Sequence, residues 1–139
     1  MSRIKNRISD IENYKKTYDA LMERKNLVLV PYSYDKKMIP VIYIWIEDIC
    51  NKDNKIGSGK YSPKDYFILI VALLYSPRVF AGFTIERGIR RIIASTLNLS
   101  STHITNSLKS VCNWYKVYAD FRISVEYIYE KIINRINDE

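Results

Sequence analysis

A helix that is apolar on nearly all sides constrains this fold most strongly, because such a helix has to be buried. The segment YSPKDYFILIVALLYSP begins with Ser62, which can cap a helix, and with Pro63, which suits the first helical position. The Ser76-Pro77 pair ends the helix. Its apolar run, residues 66–75, is shorter than the ~20 residues that a membrane span needs. The sequence therefore predicts a central buried helix and no membrane association.

Helical spacing of apolar residues also occurs in the sequence before and after this helix. Residues 3–25 predict an N-terminal amphipathic helix, in which Lys15 interrupts the apolar positions Ile4, Ile8, Ile11, Tyr18 and Met22. This stripe can pack against the protein's own core or form a dimer contact. Residues 40–50 also favour a helix, and further helices are predicted at 86–98, 100–121 and 124–136, the last capped by Ser124. The predicted fold is mostly α, a small helical bundle.

A hydrophilic loop divides the predicted helices into two groups. The loop, NKDNKIGSGK at residues 51–60, contains two of the chain's four glycines. It is the predicted boundary between an N-terminal helical or extension region, residues 1–53, and a helical domain, residues 61–137.

Several classes of protein are excluded by what the sequence lacks. Cys50 and Cys112 form no CxxC motif, and the charged N-terminal stretch is no secretory signal, so we expect reduced thiols in a cytoplasmic protein. His103 is the only histidine. No acid pair, nucleophile motif or phosphate-binding glycine loop occurs. We therefore predict no enzyme, no catalytic or metal site, no cofactor and no small-molecule substrate.

The distribution of charge favours an acidic partner. The formal net charge is +7, although the chain is rich in residues with A/T-rich codons, and such a bias alone can raise the lysine count. The 33 residues from Arg87 to Ala119 contain no acid, whereas 15 acids in 139 residues would place about 33 × 15/139 ≈ 3.6 there. A one-sided basic segment of this kind suits a phosphate-facing surface.

Within the acid-free stretch, RRIIASTLNLSSTHITNSLK at residues 90–109 resembles the helix-turn-helix family of DNA-binding units. Ala94 is the small residue where two helices approach, and Asn98 is at the turn, where glycine is usual and where positive φ is needed. Ser100 or Ser101 can cap the second helix. The apolar residues spaced to hold the helices together are Ile93, Leu97, Leu99, Ile104 and Leu108. Asn98 instead of glycine, and Ser107 where some members have an apolar residue, depart from the pattern.

The resemblance implies sequence-specific binding of double-stranded DNA. The base-reading residues would be Thr102, His103, Thr105, Asn106 and Lys109. The phosphate-binding residues would be Arg87, Arg90, Arg91, Ser100, Ser101 and Lys116.

Such units resemble the promoter-reading end of sigma factors as well as regulators of phages and mobile elements, so we expect a role in transcription regulation. A homodimer or a protein partner is also expected, because one short helix reads few bases. The alternatives are a plain helical corner and a structural or adaptor protein, such as an accessory or virion component.

Overall fold

The chain is folded almost entirely into α-helices. The computed structural model describes residues 3–28, 31–32, 35–53, 56 and 60–138. Within these residues there are six α-helices, two short 3₁₀ segments and no strand, which confirms the predicted fold class. The helices are α1 (Arg3–Val28), α2 (Ile39–Lys52), α3 (Pro63–Tyr75), α4 (Arg87–Leu97), α5 (Ser101–Val117) and α6 (Ala119–Asp138), and the 3₁₀ segments are Lys36–Met38 and Pro77–Ala81. The chain divides into two compact units, Met1–Val30 and Pro31–Glu139.

The first unit consists of α1, which confirms the predicted N-terminal helix. Every side chain from Arg3 to Arg24 is exposed. Along its sequence, apolar residues such as Ile4, Ile8 and Ile11 are separated by polar and charged ones.

The second unit is built around α3, as the sequence predicts. Nine of its 13 residues are buried, and it contacts α2, α4, α5 and α6. The helix begins as its sequence indicates, because the Ser62 N–H donates to Asp65 Oδ2 at 2.9 Å and Pro63 occupies the first turn. None of the described helices combines the length and apolar character that crossing a membrane requires.

Helix α2 belongs to this second unit, which moves the division of the chain away from the predicted boundary at residues 51–60. Ile39, Ile42, Ile46 and Ile49 are buried in the same core as α3. The hydrophilic loop therefore connects two helices that pack together, and the compact unit begins at Pro31. Residues 54, 55 and 57–59 of the loop lie outside the described residues.

Polar contacts join α2 to α6. Arg135 Nη2 donates to Asp48 Oδ2 at 3.1 Å, and the Tyr127 hydroxyl donates to the Asp53 carboxylate. Hydrogen bonds from Lys52 and Arg135 lower the pKa of Asp48. The ion pair between Asp48 and Arg135 therefore links α2 to α6.

The junction between α5 and α6 differs from the prediction. Helix α5 ends at Val117, Tyr118 is extended (φ −105°, ψ 111°), and α6 begins at Ala119, so Ser124 lies inside α6 and caps nothing. Phe121 is fully buried, with its ring stacked on that of Tyr66 at 5.4 Å between centroids. Arg122 Nη1 donates to the carbonyl of Tyr115 at 3.1 Å, which satisfies one acceptor at the end of α5.

Candidate nucleic-acid interface

A left-handed residue forms the turn between α4 and α5. Asn98 has φ 56° and ψ 48°, and it is the only residue other than glycine with positive φ in the described part of the chain. The Leu99 N–H donates to the Ala94 carbonyl at 2.9 Å and the Asn98 N–H donates to the Ser95 carbonyl at 3.3 Å, the hydrogen bonds of a Schellman motif. The predicted positive φ at Asn98 is confirmed.

The start of α5 is capped by the first of the two serines considered from sequence. Ser100 is extended (φ −76°, ψ 156°), and its Oγ accepts a hydrogen bond from the His103 N–H at 3.1 Å. The Ser100 hydroxyl oxygen therefore serves the cap. The remaining N–H groups of the first turn have no acceptor within the helix, so the partial positive charge of the helix N-terminus is available to an anion.

The α4–α5 pair is held by an apolar contact. Ala94 is buried where the small residue was predicted, and Leu99 after the turn is half-buried against the core. Four other residues predicted to hold the helices together are also buried, namely Ile93, Leu97, Ile104 and Leu108. One side of α5 is thus fixed on the core, which leaves the opposite side for solvent.

The opposite side of α5 carries a strip of short polar and basic side chains. At about 100° per residue, five exposed residues of α5 fall within a sector of about 80°. These residues, here called the α5 strip, are Thr102, Asn106, Lys109, Asn113 and Lys116. His103 is also exposed but lies about 100° from Thr102, at the far edge of the exposed side. The strip contains two cations and no acid.

Two residues predicted to contact DNA are instead engaged between the helices. Arg90 is half-buried, and its Nη1 donates to Thr105 Oγ1 at 3.5 Å. The Thr105 hydroxyl in turn donates to the Ser101 carbonyl at 3.1 Å. Arg90 Nε is buried and has no hydrogen-bond partner among the described residues. Arg90 and Thr105 therefore connect α4 to α5, and Ser101 is half-buried beside them.

The remaining predicted cations are exposed and unpaired within the described structure. Arg87, Arg91, Lys109 and Lys116 are all exposed. Among the described residues, the ion pairs use other cations, which are Lys36, Lys52, Lys60 and Arg135. The cations of the α4–α5 surface are therefore not neutralised by acids among the described residues, and this surface retains its positive charge.

A groove of about 500 Å³ runs beside the α5 strip. One wall is the segment before α4, including Phe83 and Thr84, and the other is the α5 side that carries Lys109, Asn113 and Lys116. Gly82, with φ 92°, turns the chain so that Phe83 lies under the Arg78 guanidinium, 5.3 Å from the ring centroid. No acid lines the groove among the residues described.

Sequence reasoning missed the part that Asn113 and the Phe83–Thr84 segment take in this surface. Asn113 could have been found, because it follows Lys109 by four residues and Asn106 by seven and so shares their side of the helix. The Phe83–Thr84 segment carries no such signal, because its position depends on how the chain returns from α3 to α4.

The start of α4 is fixed by contacts with the core. The hydroxyl oxygen of the buried Ser76 accepts from the Glu86 N–H at 3.3 Å, and Lys36 Nζ lies 3.1 Å from Glu86 Oε1.

Cys112 also lines the groove, and burial raises the pKa of its thiol against the opposing effect of Lys116. The thiol is therefore neutral near pH 7.

The comparisons with known proteins add no relative. No protein family, curated protein or solved structure was found to match this chain. In the part of the chain that the structure describes, no three His, Cys, Asp or Glu side chains are grouped so that they could hold a metal ion.

Proposed function

We propose that this chain is a non-enzymatic, sequence-specific double-stranded DNA-binding protein that regulates transcription, in a phage or mobile element. In this proposal α4, the turn at Asn98 and α5 act as a helix-turn-helix, with α5 in the major groove. One observation carries it, namely that the acid-free α5 strip faces solvent on a helix whose other side is fixed in the core. A rigid helix with short donors and acceptors and unpaired cations has the chemistry to approach base edges between two phosphate backbones.

Sequence would be read by the N-terminal part of the strip. The Asn106 amide can pair with adenine through two hydrogen bonds, the Thr102 methyl can contact thymine, and Lys109 can reach guanine. His103 would contact a base or phosphate at the edge of the groove. Thr105 is left out of this set, because its hydroxyl already bonds within the helix pair.

Affinity would come mainly from cations outside the base-reading set. Arg87, Arg91 and Lys116 are exposed and can each neutralise a phosphate, and the N-terminus of α5 can hold another. The three phosphates neutralised by Arg87, Arg91 and Lys116 in each chain predict a slope of about −2.7 for log K against log salt concentration, so affinity falls ~40-fold between ~50 and ~200 mM salt. Arg90 contributes by holding α4 against α5.

Fluorescence anisotropy with labelled duplexes tests the proposal, after selection of the preferred site from a random duplex pool. We expect Arg91→Ala to weaken binding to preferred and unrelated duplexes alike and to reduce the salt slope by about 1. Asn106→Ala should instead reduce the preference for the selected site, by ~1–3 kcal/mol for a two-hydrogen-bond contact.

Lys131→Ala is the matched control, because it removes an exposed cation from α6 and should leave both quantities unchanged. Equal effects of Arg91→Ala and Lys131→Ala would contradict the proposed surface. Loss of binding to all duplexes alike in Asn106→Ala would contradict the proposed division between base and phosphate contacts.

A second candidate function is a structural or adaptor role, which an apolar groove in the second unit favours. This groove of about 320 Å³ is bordered by Leu73 and Phe80, which are 38% and 41% exposed, and by Val125 and Tyr129 of α6. Partly exposed apolar side chains around a groove suit contact with another protein. The salt titration separates the two functions, because an adaptor would bind no duplex even at low salt.

A further inference from the structure

The apolar residues of α1 follow a seven-residue repeat. With Ile8 at position a of a heptad, Ile11 occupies d, Lys15 the next a, Tyr18 the next d and Met22 the third a. The 26 residues of α1 extend over about 39 Å at 1.5 Å per residue. This length accommodates three heptads of a two-stranded coiled coil.

Lys15 at an a position and Lys25 at a d position interrupt the seam, and the other a and d side chains form an exposed apolar row between Ile4 and Met22. The exposed fractions of Ile8, Ile11 and Tyr18 are 50%, 59% and 52%. Tyr14 and Leu21, at g positions, are 73% and 62% exposed and widen the row on one side. An exposed apolar row that extends over more than three helical turns is a surface on which another helix can pack.

Charges beside the row select a parallel partner identical to α1. In a parallel coiled coil, the g residue of one helix lies beside the e residue of the next heptad in the other. Arg7 is at g and Glu12 is at the following e. Each Arg7 would therefore face the partner's Glu12, and symmetry would give two such pairs per dimer. In an antiparallel pair, g residues face g residues, so the two charges would not meet.

Lys15 at a single a position favours two strands over more. In a dimer the a position lies near the edge of the seam, so the long lysine side chain can extend to water. Three or four strands would enclose its ammonium group among apolar side chains, at a much higher desolvation cost.

We propose that α1 forms a parallel, two-stranded coiled coil with α1 of a second copy of this chain. The partner is identified by the heptad register and by the Arg7–Glu12 complementarity, and the inference does not depend on DNA binding. The full chain would be a dimer whose DNA-binding surfaces, if the proposed function holds, are supplied in pairs.

A charge-swap experiment on the full-length chain tests the partner and its orientation. Arg7→Glu places like charges opposite Glu12, and Glu12→Arg places like charges opposite Arg7, so each variant should dimerise on the order of tenfold more weakly than the unmodified chain. Mixing the two variants should restore dimers, because a mixed pair contains only opposite charges. Both substitutions also alter charge pairs within α1, but mixing does not reverse that change. Recovery on mixing therefore reports contact between two chains.

The association is measured by light scattering after size-exclusion chromatography, at loading concentrations from about 5 to about 500 µM. Full-length Ile8→Cys should form a covalent dimer under mild oxidation, because position a faces its own copy in a parallel pair. Ser9→Cys, one residue along at an outer position, is the matched control and should not.

A monomer at every concentration would overturn the proposal. Dimers that persist unweakened in both charge variants, failure of the mixture to recover, or equal cross-linking through Ile8→Cys and Ser9→Cys would also overturn it.

Discussion

The left-handed conformation of Asn98 predicts that glycine is more stable than alanine at position 98, whereas the order is reversed at position 106. At Asn98, with φ 56°, a residue that carries a Cβ is strained, so Asn98→Gly, which removes the Cβ, should be more stable than Asn98→Ala, which keeps it. At Asn106, an exposed residue inside α5, Asn106→Ala should be more stable than Asn106→Gly. The two asparagines are eight residues apart in one chain, which makes them matched sites.

The magnitude follows from the two conformations. The left-handed region costs alanine roughly 1–2 kcal/mol, and the greater unfolded-state entropy of glycine offsets about 0.4–1 kcal/mol of its advantage, leaving about 1 kcal/mol in favour of glycine at position 98. In the helix interior, glycine is less favourable than alanine by about 0.8–1.0 kcal/mol. The Pro31–Glu139 unit has 139 − 30 = 109 residues. At about 2.1 cal/mol/K per residue, 1 kcal/mol corresponds to a change of about 4 °C in Tm.

The assay is thermal unfolding of the four variants, followed by circular dichroism at the helix band, with urea unfolding to give the free energies. We expect a gap of about 4 °C in favour of glycine at 98 and of similar size in favour of alanine at 106. The same sign at both sites would refute the reasoning, because the effect would then be one of composition and not of backbone conformation.

Three other predictions concern the core, the cap and a thiol. Ile104→Ala, at a side chain that is 0% exposed, should lower the free energy of unfolding in urea by about 2–5 kcal/mol, whereas Ile123→Ala, at 65% exposure, should change it by less than about 0.5; equal losses would contradict the burial assigned to α5. Ser100→Ala should cost about 1 kcal/mol in the same assay, because the His103 N–H loses its acceptor, and no loss would contradict the cap. Burial and, secondarily, Glu47 raise the pKa of Cys50 from 9.0 to about 11, so the folded chain holds a proton between pH 9 and 11 that the unfolded chain releases. The free energy of unfolding should therefore fall as pH rises from 9 to 11, because the unfolded chain releases this proton first. In Cys50→Ser, urea unfolding at the same pH values should not show this part of the decrease.

The features predicted well are those with a local physical cause. The start of α3 could be predicted because Ser62, Pro63 and Asp65 act within one helical turn. The conformation of Asn98 could be predicted because few residues other than glycine tolerate positive φ.

The features predicted poorly depend on distant contacts. The break at Tyr118 has no glycine or proline near it, and it coincides with the burial of Phe121 against Tyr66 of another helix. The assignment of α2 to a separate region followed the composition of the loop after it, whereas the buried isoleucines of α2 place it with α3.

The candidate surface was partly predictable for the same reason. Exposure of Thr102, Asn106 and Lys109 follows from helical spacing against Ile104 and Leu108. The hydrogen bond between Arg90 and Thr105 could not be predicted from helical spacing, because it depends on how α4 and α5 are placed relative to each other.

The two sides of α5 impose different limits on how this protein can change. Substitutions in the α5 strip remove no buried contact, whereas the interleaved Ile104, Leu108 and Val111 are part of the core. A library in which the five strip positions vary together should therefore consist mostly of folded proteins. Lineages of this chain could thus acquire a new surface chemistry through successive folded intermediates, without a compensating change elsewhere in the bundle.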